Sequence, residues 1–252
     1  MMSHLLEVCA DSVQSAIAAQ KGGADRIELC SALVIGGLSP SPAMFQQVRE
    51  NTDIQIRVLL RPRFGDFCYD EYEFQTLKEE VRQFRELGAD GVVIGILKPD
   101  GTLNMEQMEE LVRAADGIDV TMHRAFDVCR DTYEALDQCI SLGIDTILTS
   151  GQKSSAWEGR ELLAELVRRS DGRIDILAGA GIGPGVIGEL AEYTGVRSFH
   201  MSGKKVLDSR MEFRREGVPM GIPGFGEFEI WQTDAEQVRK AAEVLCREKT
   251  FL

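Results

Sequence analysis

The fold is decided by the pattern in residues 5 to 30, LLEVCADSVQSAIAAQKGGADRIELC. Two short apolar runs, Leu5–Cys9 and Arg26–Cys30, have the length of β-strands, and the stretch between them, Ser12–Lys21, has the period of a helix. Gly22 and Gly23 follow that helix, at the place where a left-handed glycine commonly ends one. This is the pattern of one β–α–β unit.

The same unit recurs about eight times along the chain, with no linker or low-complexity segment between the repeats. Glycines end other helices in the same way, at Gly88 and Gly143. The predicted strands are Leu5–Cys9, Arg26–Cys30, Ile54–Leu60, Gly91–Ile96, Asp119–His123, Thr146–Ser150, Asp175–Ala178 and Ser198–Ser202. The predicted helices are Ser12–Lys21, Pro42–Glu50, Tyr72–Leu87, Met105–Ala115, Thr132–Leu142, Ala156–Ser170, Pro184–Tyr193 and Asp234–Glu248.

Such units build either a closed barrel or an open doubly wound sheet. Eight units favour closure, and the GxGxxG motif that an open sheet often carries after its first strand is missing. We therefore predict an α/β protein with a single (β/α)8 TIM-barrel domain, residues 1–252, with its functional site at the C-terminal ends of the strands.

An extended segment at about residues 203–233 separates the eighth strand from the last helix and does not fit the minimal barrel. It is rich in glycine and proline and carries Phe213, Phe225, Phe228 and Trp231. A lid and a subunit contact are the two interpretations. We favour a contact, because exposed aromatic side chains at this density usually find a partner, and so expect a homo-oligomer, a dimer or larger.

The charge balance excludes some classes of partner. The chain has 28 basic and 41 acidic residues, a net charge of −13, and its averaged field repels nucleic acid and anionic membrane surfaces. A local basic site for a small anion is still compatible with this charge. The N-terminal sequence MMSHLLEVCADSV lacks the features of a signal peptide, and no apolar run is long enough to span a bilayer, so we expect a cytoplasmic protein.

Strand alternation predicts an unusually polar barrel interior. Leu6 and Val8 in the first strand, and Ile27 and Leu29 in the second, must face the helices, so the residues between them point inward. The predicted inward set is Glu7, Cys9, Arg26, Glu28, Cys30, Gln55, Arg57, Arg61, Thr121, His123, His200 and Ser202. Buried charges must pair, so the acidic and basic members of this set are either an ion-pair network or functional groups.

Glycine loops after the seventh and eighth strands predict an anion site. Gly179–Gly183 opens a helix, and Ser202–Lys205 adds two lysines, at the position where this fold commonly holds phosphate. The candidate anion-binding residues are Arg61, Gly181, Gly183, Ser202, Gly203 and Lys204.

The sequence HRAFD, His123–Asp127, puts an imidazole, a guanidinium and a carboxylate at the same mouth. It performs acid–base chemistry, orients an acidic substrate, or is a loop that is fixed by a pair between Arg124 and Asp127. The candidate catalytic residues are Glu7, Glu28 and His123. No organic cofactor is implied.

Six scattered cysteines form no CxxC pair, which indicates free thiols rather than disulfides or tetrahedral zinc. Cys9 and Cys30 end adjacent inward-facing strands, so their thiols are placed to bind Cu(I), with His200 or His123 as an optional further ligand. The alternative is that both are small buried apolar residues.

Several stretches together resemble the CutC copper homeostasis family, and the resemblance covers about Leu5 to Arg215. They are LLEVCAD (5–11), GADRIELCS (23–31), GGLSPS (36–41), RPRFGDFCY (61–69), HRAFD (123–127) and LTSGQ (148–152). The resemblance implies a cytosolic TIM-barrel protein associated with copper tolerance, with Cu(I) bound by the cysteines that match Cys9 and Cys30. The segment Gly221–Trp231 departs from the family pattern.

Two functions follow as expectations. One is a copper homeostasis protein that binds Cu(I) at Cys9 and Cys30. The other is an enzyme acting on a small anionic metabolite that carries phosphate or carboxylate, which the polar mouth of the barrel favours.

Overall fold

The structure is a computed structural model that describes residues 4–222 and 224–248. Eight parallel strands form a closed barrel in sequence order, and β8 pairs with β1 to close it, so the predicted (β/α)8 TIM barrel is confirmed. The barrel strands are β1 (Leu5–Ala10), β2 (Arg26–Leu29), β3 (Gln55–Leu59), β4 (Gly91–Ile94), β5 (Asp119–Met122), β6 (Thr146–Thr149), β7 (Asp175–Ala178) and β8 (Ser198–Met201).

In the part of the chain that the structure describes, seven α-helices connect these strands and an eighth follows them. They are α1 (Val13–Gly22), α2 (Pro42–Asn51), α3 (Glu71–Glu86), α4 (Met105–Ala115), α5 (Thr132–Ser141), α6 (Arg160–Ser170), α7 (Ile187–Thr194) and α8 (Ala235–Glu248). Gly23 caps α1 in the left-handed conformation, at φ 88°, as the glycine pattern predicted.

Two helices begin three or more residues later than predicted. The N–H of Ala156 donates to the carbonyl of Ala180, which ties residue 156 to the loop after β7, and α6 therefore starts at Arg160. The carbonyl of Gly183 accepts from the N–H groups of Val186 and Ile187, so residues 183–186 form a turn and α7 starts at Ile187 instead of residue 184.

The predicted alternation is confirmed in the charged layer of the barrel. Glu7, Glu28 and Arg57 are buried, and Arg57 on β3 reaches across to β5, where it donates to Thr121 Oγ1 at 2.7 Å and Asp119 Oδ2 at 2.5 Å. This reach past β4 is feasible only inside the barrel. Gln55 lies on the same face of β3 as Arg57, opposite Arg26, and it is exposed because it starts β3 at the open N-terminal end of the barrel.

The apolar faces of the strands pack against the helices in one continuous core. It includes Leu6, Val8, Ile27 and Leu29 from the first two strands and Val81 and Phe84 from α3. Burial of this layer supplies the main driving force for folding. It also leaves the inner face of the strands free to carry polar groups.

The extended segment after β8 forms an antiparallel hairpin. Strand β9 (Lys204–Asp208) pairs with β10 (Glu229–Thr233), and the residues between them include exposed apolar side chains such as Phe213 and Met220. Pro223, within the segment that departs from the family pattern, lies outside the described residues. In the described chain, no helix combines the length and apolar character required to cross a bilayer.

Candidate functional site

A cavity of about 440 Å³ opens at the C-terminal ends of the barrel strands. It gathers eight of the predicted site residues from six strand ends and their loops. They are Cys9, Glu28, Arg61, His123, Gly181, His200, Ser202 and Lys204.

Four predicted site residues lie outside the lining of this cavity. Glu7 is buried one layer below, where it pairs with Arg26. Gly183 accepts the first hydrogen bonds of α7, and Gly203 packs against Met201 and α8. The fourth is Cys30, which is described below.

Glu7 and His200 form a buried polar pair at the seam of the barrel. Glu7 Oε1 lies 2.7 Å from His200 Nδ1, and Glu7 Oε2 accepts from Arg26 Nε. Burial alone would raise the pKa of Glu7, but the charge of Arg26 and the hydrogen bond with His200 lower it to about 2. Burial disfavours a charged His200, yet Cys9, Glu28 and Glu7 raise its pKa well above the usual value. Glu7 is therefore ionised at neutral pH, and its surroundings favour the protonated form of His200.

Glu28 differs from Glu7 because it forms no ion pair with any residue that the structure describes. Within residues 4–222 and 224–248 its Oε2 atom is buried with no hydrogen-bond partner. Burial, together with the charge of Glu7, raises the pKa of Glu28 to about 7, although His200 and Arg26 act in the opposite direction. The ion-pair interpretation of the interior is thus confirmed for Glu7 with Arg26, and for Arg57 with Asp119, but not for Glu28.

Arg61 is a buried guanidinium that, among the described residues, donates hydrogen bonds only to neutral groups. It donates to the carbonyl of Gly37 at 3.4 Å and to that of Gly65 at 2.6 Å, and it stacks over Phe67 at 4.9 Å from the ring centre. In the described ranges of the chain, its Nε has no hydrogen-bond partner and no carboxylate lies within salt-bridge distance.

His123 faces the same cavity beside Arg61. Its Nδ1 accepts from the N–H of Ala125 at 3.2 Å, so the neutral ring carries its proton on Nε2. Burial and the charge of Arg61 lower the pKa of His123 to about 3. Nε2 is buried and, as far as the described residues extend, makes no hydrogen bond. At neutral pH the His123 ring is therefore neutral and offers its Nε2–H as a hydrogen-bond donor.

Two residues that support His123 were missed in the sequence. The ring of Phe67 lies 4.8 Å from the imidazole, and Gly95 leaves the space that the imidazole occupies, because a Cβ there would lie 2.5 Å from its Cε1. The RPRFGDFCY motif contains Phe67 and could have indicated it. Gly95 carries no sequence signal beyond being a glycine near the end of β4.

The other part of the HRAFD motif stabilises a loop. Asp127 pairs with Arg124 at 2.6 Å and also accepts from the Thr149 hydroxyl at 2.5 Å and the N–H groups of Ser150 and Gln152 at 3.0 and 3.2 Å. The structural alternative for Arg124 and Asp127 is thus confirmed. Asp127 holds the loop after β6 at the rim of the cavity.

The rim also contains the glycine loop after β7. Ala180 and Gly181 both have positive φ, 72° and 74°, and in the described structure the N–H groups of residues 181–183 donate to no protein acceptor. Across the opening, Lys204 lies over the ring of Trp231 at 4.3 Å. The two predicted loops lie at the same rim. Because α7 starts at Ile187, its N-terminus is farther from the glycine loop than the anion-site prediction assumed.

The two candidate metal cysteines are placed differently. Strand register pairs Cys9 with Glu28, and Cys9 lines the cavity. Cys30 is fully buried, packs with Leu59 and Val93, and its pKa is raised well above the usual value by burial. The loop that carries Leu33 covers it, so Cys30 points inward as predicted but does not line the cavity.

Comparison with known proteins agrees with this architecture. The family model of the CutC family matches residues 4–205. A CutC family protein of Parabacteroides distasonis is 46% identical over 240 residues, which cover 94% of this chain and 99% of that protein. A CutC family protein of Chromobacterium violaceum is 42% identical over 244 residues, with 97% and 99% covered.

A solved structure, that of CutC from Streptococcus agalactiae, is 30% identical with a TM-score of 0.76, and the similarity covers 79% of this chain and 98% of that one. The matched family model contains all of the cavity-lining residues named above and ends within β9. By family model, by full-length relatives and by structure, the chain belongs to the CutC family.

Proposed function

We propose that the cavity binds a small anionic metabolite and that the protein acts on it as an enzyme. The observation that carries this proposal is the buried Arg61 guanidinium without a carboxylate partner in the described part of the chain. A buried charge without a counter-charge costs several kcal/mol, as an order of magnitude, so an anion supplied by a ligand is the natural partner.

His123 supports the same assignment. His123 lines the cavity next to Arg61, and its Nε2 is buried without a protein acceptor in the described chain. A guanidinium and a neutral N–H donor together suit a carboxylate or phosphate group, whose oxygens accept several hydrogen bonds. Phe67 holds both donors in place, because it contacts the ring of His123 and the guanidinium of Arg61.

The chemistry would take place at the opposite wall of the cavity. Cys9, Glu28 and His200 lie there, and Glu28 has one carboxylate oxygen free of protein partners among the described residues. A carboxyl group with a free oxygen beside a bound metabolite can exchange a proton with it. Glu7 lies below, where it orients His200, and we assign it a positioning role.

Titration with inorganic phosphate and with glycolate, followed by NMR of the Arg61 Nε–H and the backbone amides, tests this function. We expect saturable binding that Arg61→Met weakens by about 10- to 100-fold, because a hydrogen-bonded charge is lost. Arg168→Met, on the exposed face of α6, is the matched control and should bind as the wild type does. Equal affinity of wild type and Arg61→Met would contradict the assignment.

Copper binding is a second candidate, and the specific observation in its favour is the Cys9 thiol beside His200 in the cavity. The name of the Streptococcus agalactiae protein also refers to copper homeostasis. Cys30 supports copper binding less than expected, because apolar side chains cover its thiol. Competition with a Cu(I) chelator tests the candidate: Cys9→Ser and Cys30→Ser should lower the affinity, and Cys246→Ser should not.

We also propose that the protein works in the cytoplasm, because all six of its cysteines are free thiols, which a reducing compartment maintains. Fractionation of cells that express the tagged protein tests this location. Recovery of the protein in an oxidising compartment with paired cysteines would contradict it.

A further inference from the structure

We infer that the reaction in the cavity is a proton transfer at carbon. The substrate is a small α-hydroxy carbonyl compound that passes through an enediolate, with Arg61 and His123 holding the oxyanion and Glu28 moving the proton. This inference rests on the proposed function, which it extends from an anionic metabolite to a reaction class and a substrate class. Three buried polar atoms around one cavity, left unsatisfied by the described protein, point to it.

The three atoms are Arg61 Nε, His123 Nε2 and Glu28 Oε2, and each belongs to a residue that lines the cavity. The residues have relative exposures of 8%, 4% and 5%, and among the described residues none of the three atoms has a hydrogen-bond partner. An unsatisfied polar atom at this depth costs about 1 to 3 kcal/mol. A ligand that satisfies all three offers an oxygen to the two donors and a hydrogen to the acceptor.

His123 is a neutral donor, and this follows from its hydrogen bond to the backbone. Its Nδ1 accepts from the N–H of Ala125 at 3.2 Å, so the ring is neutral and carries its proton on Nε2. A neutral imidazole gives up its N–H proton much less readily than an imidazolium does. It therefore polarises a substrate carbonyl group by hydrogen bonding and keeps its own proton.

The two donors are held in place by the protein itself. Arg61 donates to the carbonyl of Gly65 at 2.6 Å, and the ring of Phe67 lies 4.9 Å from the guanidinium and 4.8 Å from the imidazole. A Cβ at Gly95 would lie 2.5 Å from His123 Cε1, so this glycine makes room for the ring. Donors fixed in this way stabilise an oxyanion without reorganisation, and removal of one typically slows such a reaction by about 100- to 1,000-fold.

Glu28 is the group that can take the proton. The thiol of Cys9 donates to the carbonyl of Met201 at 3.6 Å. The Nδ1 of His200 is held by Glu7 at 2.7 Å. In residues 4–222 and 224–248, Glu28 keeps one carboxylate oxygen without any hydrogen-bond partner. A carboxylate that is free at one oxygen and buried beside the substrate is suited to act as a general base.

The step needs no reagent beyond the substrate and Glu28. The carboxylate takes the proton from the carbon that bears the hydroxyl group, and the electron pair of this C–H bond forms the C=C bond of the enediolate. The carbonyl π pair moves onto the oxygen that Arg61 and His123 hold. Glu28 returns the proton to the former carbonyl carbon, and the hydroxyl proton moves to the oxyanion. One carbon is oxidised and its neighbour is reduced, so the conversion is an isomerisation.

The lining of the cavity fits this substrate class. Its volume of about 440 Å³ suits a small metabolite, and Leu33, Leu59 and Leu148 contribute apolar walls. Apolar walls exclude water and so strengthen the hydrogen bonds to the oxyanion. Lys204 also lines the cavity and supplies a positive charge for a phosphate ester on the substrate.

Two ligands that differ by one oxygen atom test the role of the donors. Glycolohydroxamate mimics an enediolate, and glycolamide lacks its hydroxyl group on nitrogen. In calorimetric titrations of the full-length protein with EDTA present, glycolohydroxamate should bind at least about 100-fold more tightly than glycolamide. His123→Phe should reduce this preference to about tenfold or less. His123→Gln, which keeps an N–H donor, should retain most of it.

Hydrogen exchange tests the role of Glu28. In D₂O, proton NMR of dihydroxyacetone and of its phosphate ester should show a protein-dependent loss of the signal from the carbon that bears the reacting hydroxyl group. Glu28→Gln should slow this exchange by at least about 100-fold. Glu161→Gln, on the exposed face of α6, is the matched control and should exchange at the wild-type rate. All proteins are purified in the same way, so equal rates in every sample would reveal a contaminating isomerase and no activity of this protein.

The outcomes separate this inference from the proposed function. If glycolate binds in a manner that depends on Arg61, but glycolohydroxamate binds no more tightly than glycolamide, the inference is wrong and the anion site stands. Wild-type exchange in folded Glu28→Gln protein, or no exchange of either ketone by the wild type, would also overturn the inference. Failure of glycolate and phosphate to bind would overturn the proposed function itself. Circular dichroism confirms that each variant is folded.

Discussion

His200 Nδ1 lies 2.7 Å from Glu7 Oε1, and this contact crosses the seam between β8 and β1 that closes the barrel. The other oxygen of Glu7 accepts from Arg26 on β2. One buried carboxylate therefore links three neighbouring strands, the first two of the barrel and the last. It couples closure of the barrel to the orientation of a side chain in the functional cavity.

Glu7→Gln should destabilise the protein by about 3 to 5 kcal/mol, because it leaves Arg26 and His200 buried without their counter-charge. Urea unfolding at pH 7 measures the loss. Glu110→Gln is the matched control, since it breaks the half-exposed ion pair with Lys78 and should cost about 1 kcal/mol or less. A loss for Glu7→Gln as small as that of the control would show that the buried pair does not stabilise the barrel.

The charge states of His123 and His200 can be measured by NMR, because the sequence has three histidines and their ring signals are few. The ring of His123, with its pKa lowered to about 3, should stay neutral between pH 5 and 8, and the ring of His200 should stay protonated over much of that range because its pKa is raised. NMR of the ring protons, assigned with His123→Gln and His200→Gln, should show no titration of His123 near pH 6.5. A midpoint there would disprove the buried, neutral assignment.

The lowered pKa of His123 also determines in which direction the stability of the folded protein changes with pH. The unfolded chain binds a proton at His123 near pH 6.5 and the folded chain does so only near pH 3, so stability is lost as pH falls between these values. The contribution is about 4 to 5 kcal/mol as an upper bound. His123→Gln should therefore lose less stability than the wild type between pH 7 and pH 4, in denaturant titrations at each pH.

Asp127→Ala should lower the melting temperature by roughly 5 to 10 °C, because the donors of Thr149, Ser150 and Gln152 lose their shared acceptor. Arg124→Ala is the control, since Arg124 is 45% exposed and its removal should cost much less. Calorimetry compares the two variants. Similar shifts in both would mean that the ion pair, and not the carboxylate with its backbone donors, holds the loop.

The hairpin segment between β8 and α8 should mediate self-association. Its apolar side chains, including Phe213 at 67% exposure and Phe225 at 40%, are solvent-exposed in the isolated chain. Light scattering after size exclusion should give a dimer or larger for the wild type and the 27.9 kDa monomer for Phe213→Ser with Phe225→Ser. A monomeric wild type would contradict the expected contact.

Most of the fold could be predicted from the sequence because it depends on local periodicity. The eight strand and helix patterns, the glycine at position 23, and the inward direction of Glu7, Glu28 and Arg57 follow from alternation that neighbouring residues impose. Helix starts were less accurate at α6 and α7, where hydrogen bonds from the loops, such as that between Ala156 and Ala180, replace the expected first turn.

The sequence predicted which residues belong to the candidate site. Only the tertiary structure decided which of them line the cavity, which are covered and which are paired. Strand register places Cys9 beside Glu28 instead of Cys30, and the loop carrying Leu33 covers Cys30. Whether a buried charge has a partner depends on side chains far apart in the chain, as Glu7 and His200 are. Sequence alternation determined which residues enter the barrel. Register, loop packing and burial decided that Arg61 and Glu28 make no ion pair with any of the described residues, because such contacts join strands with no local sequence relation.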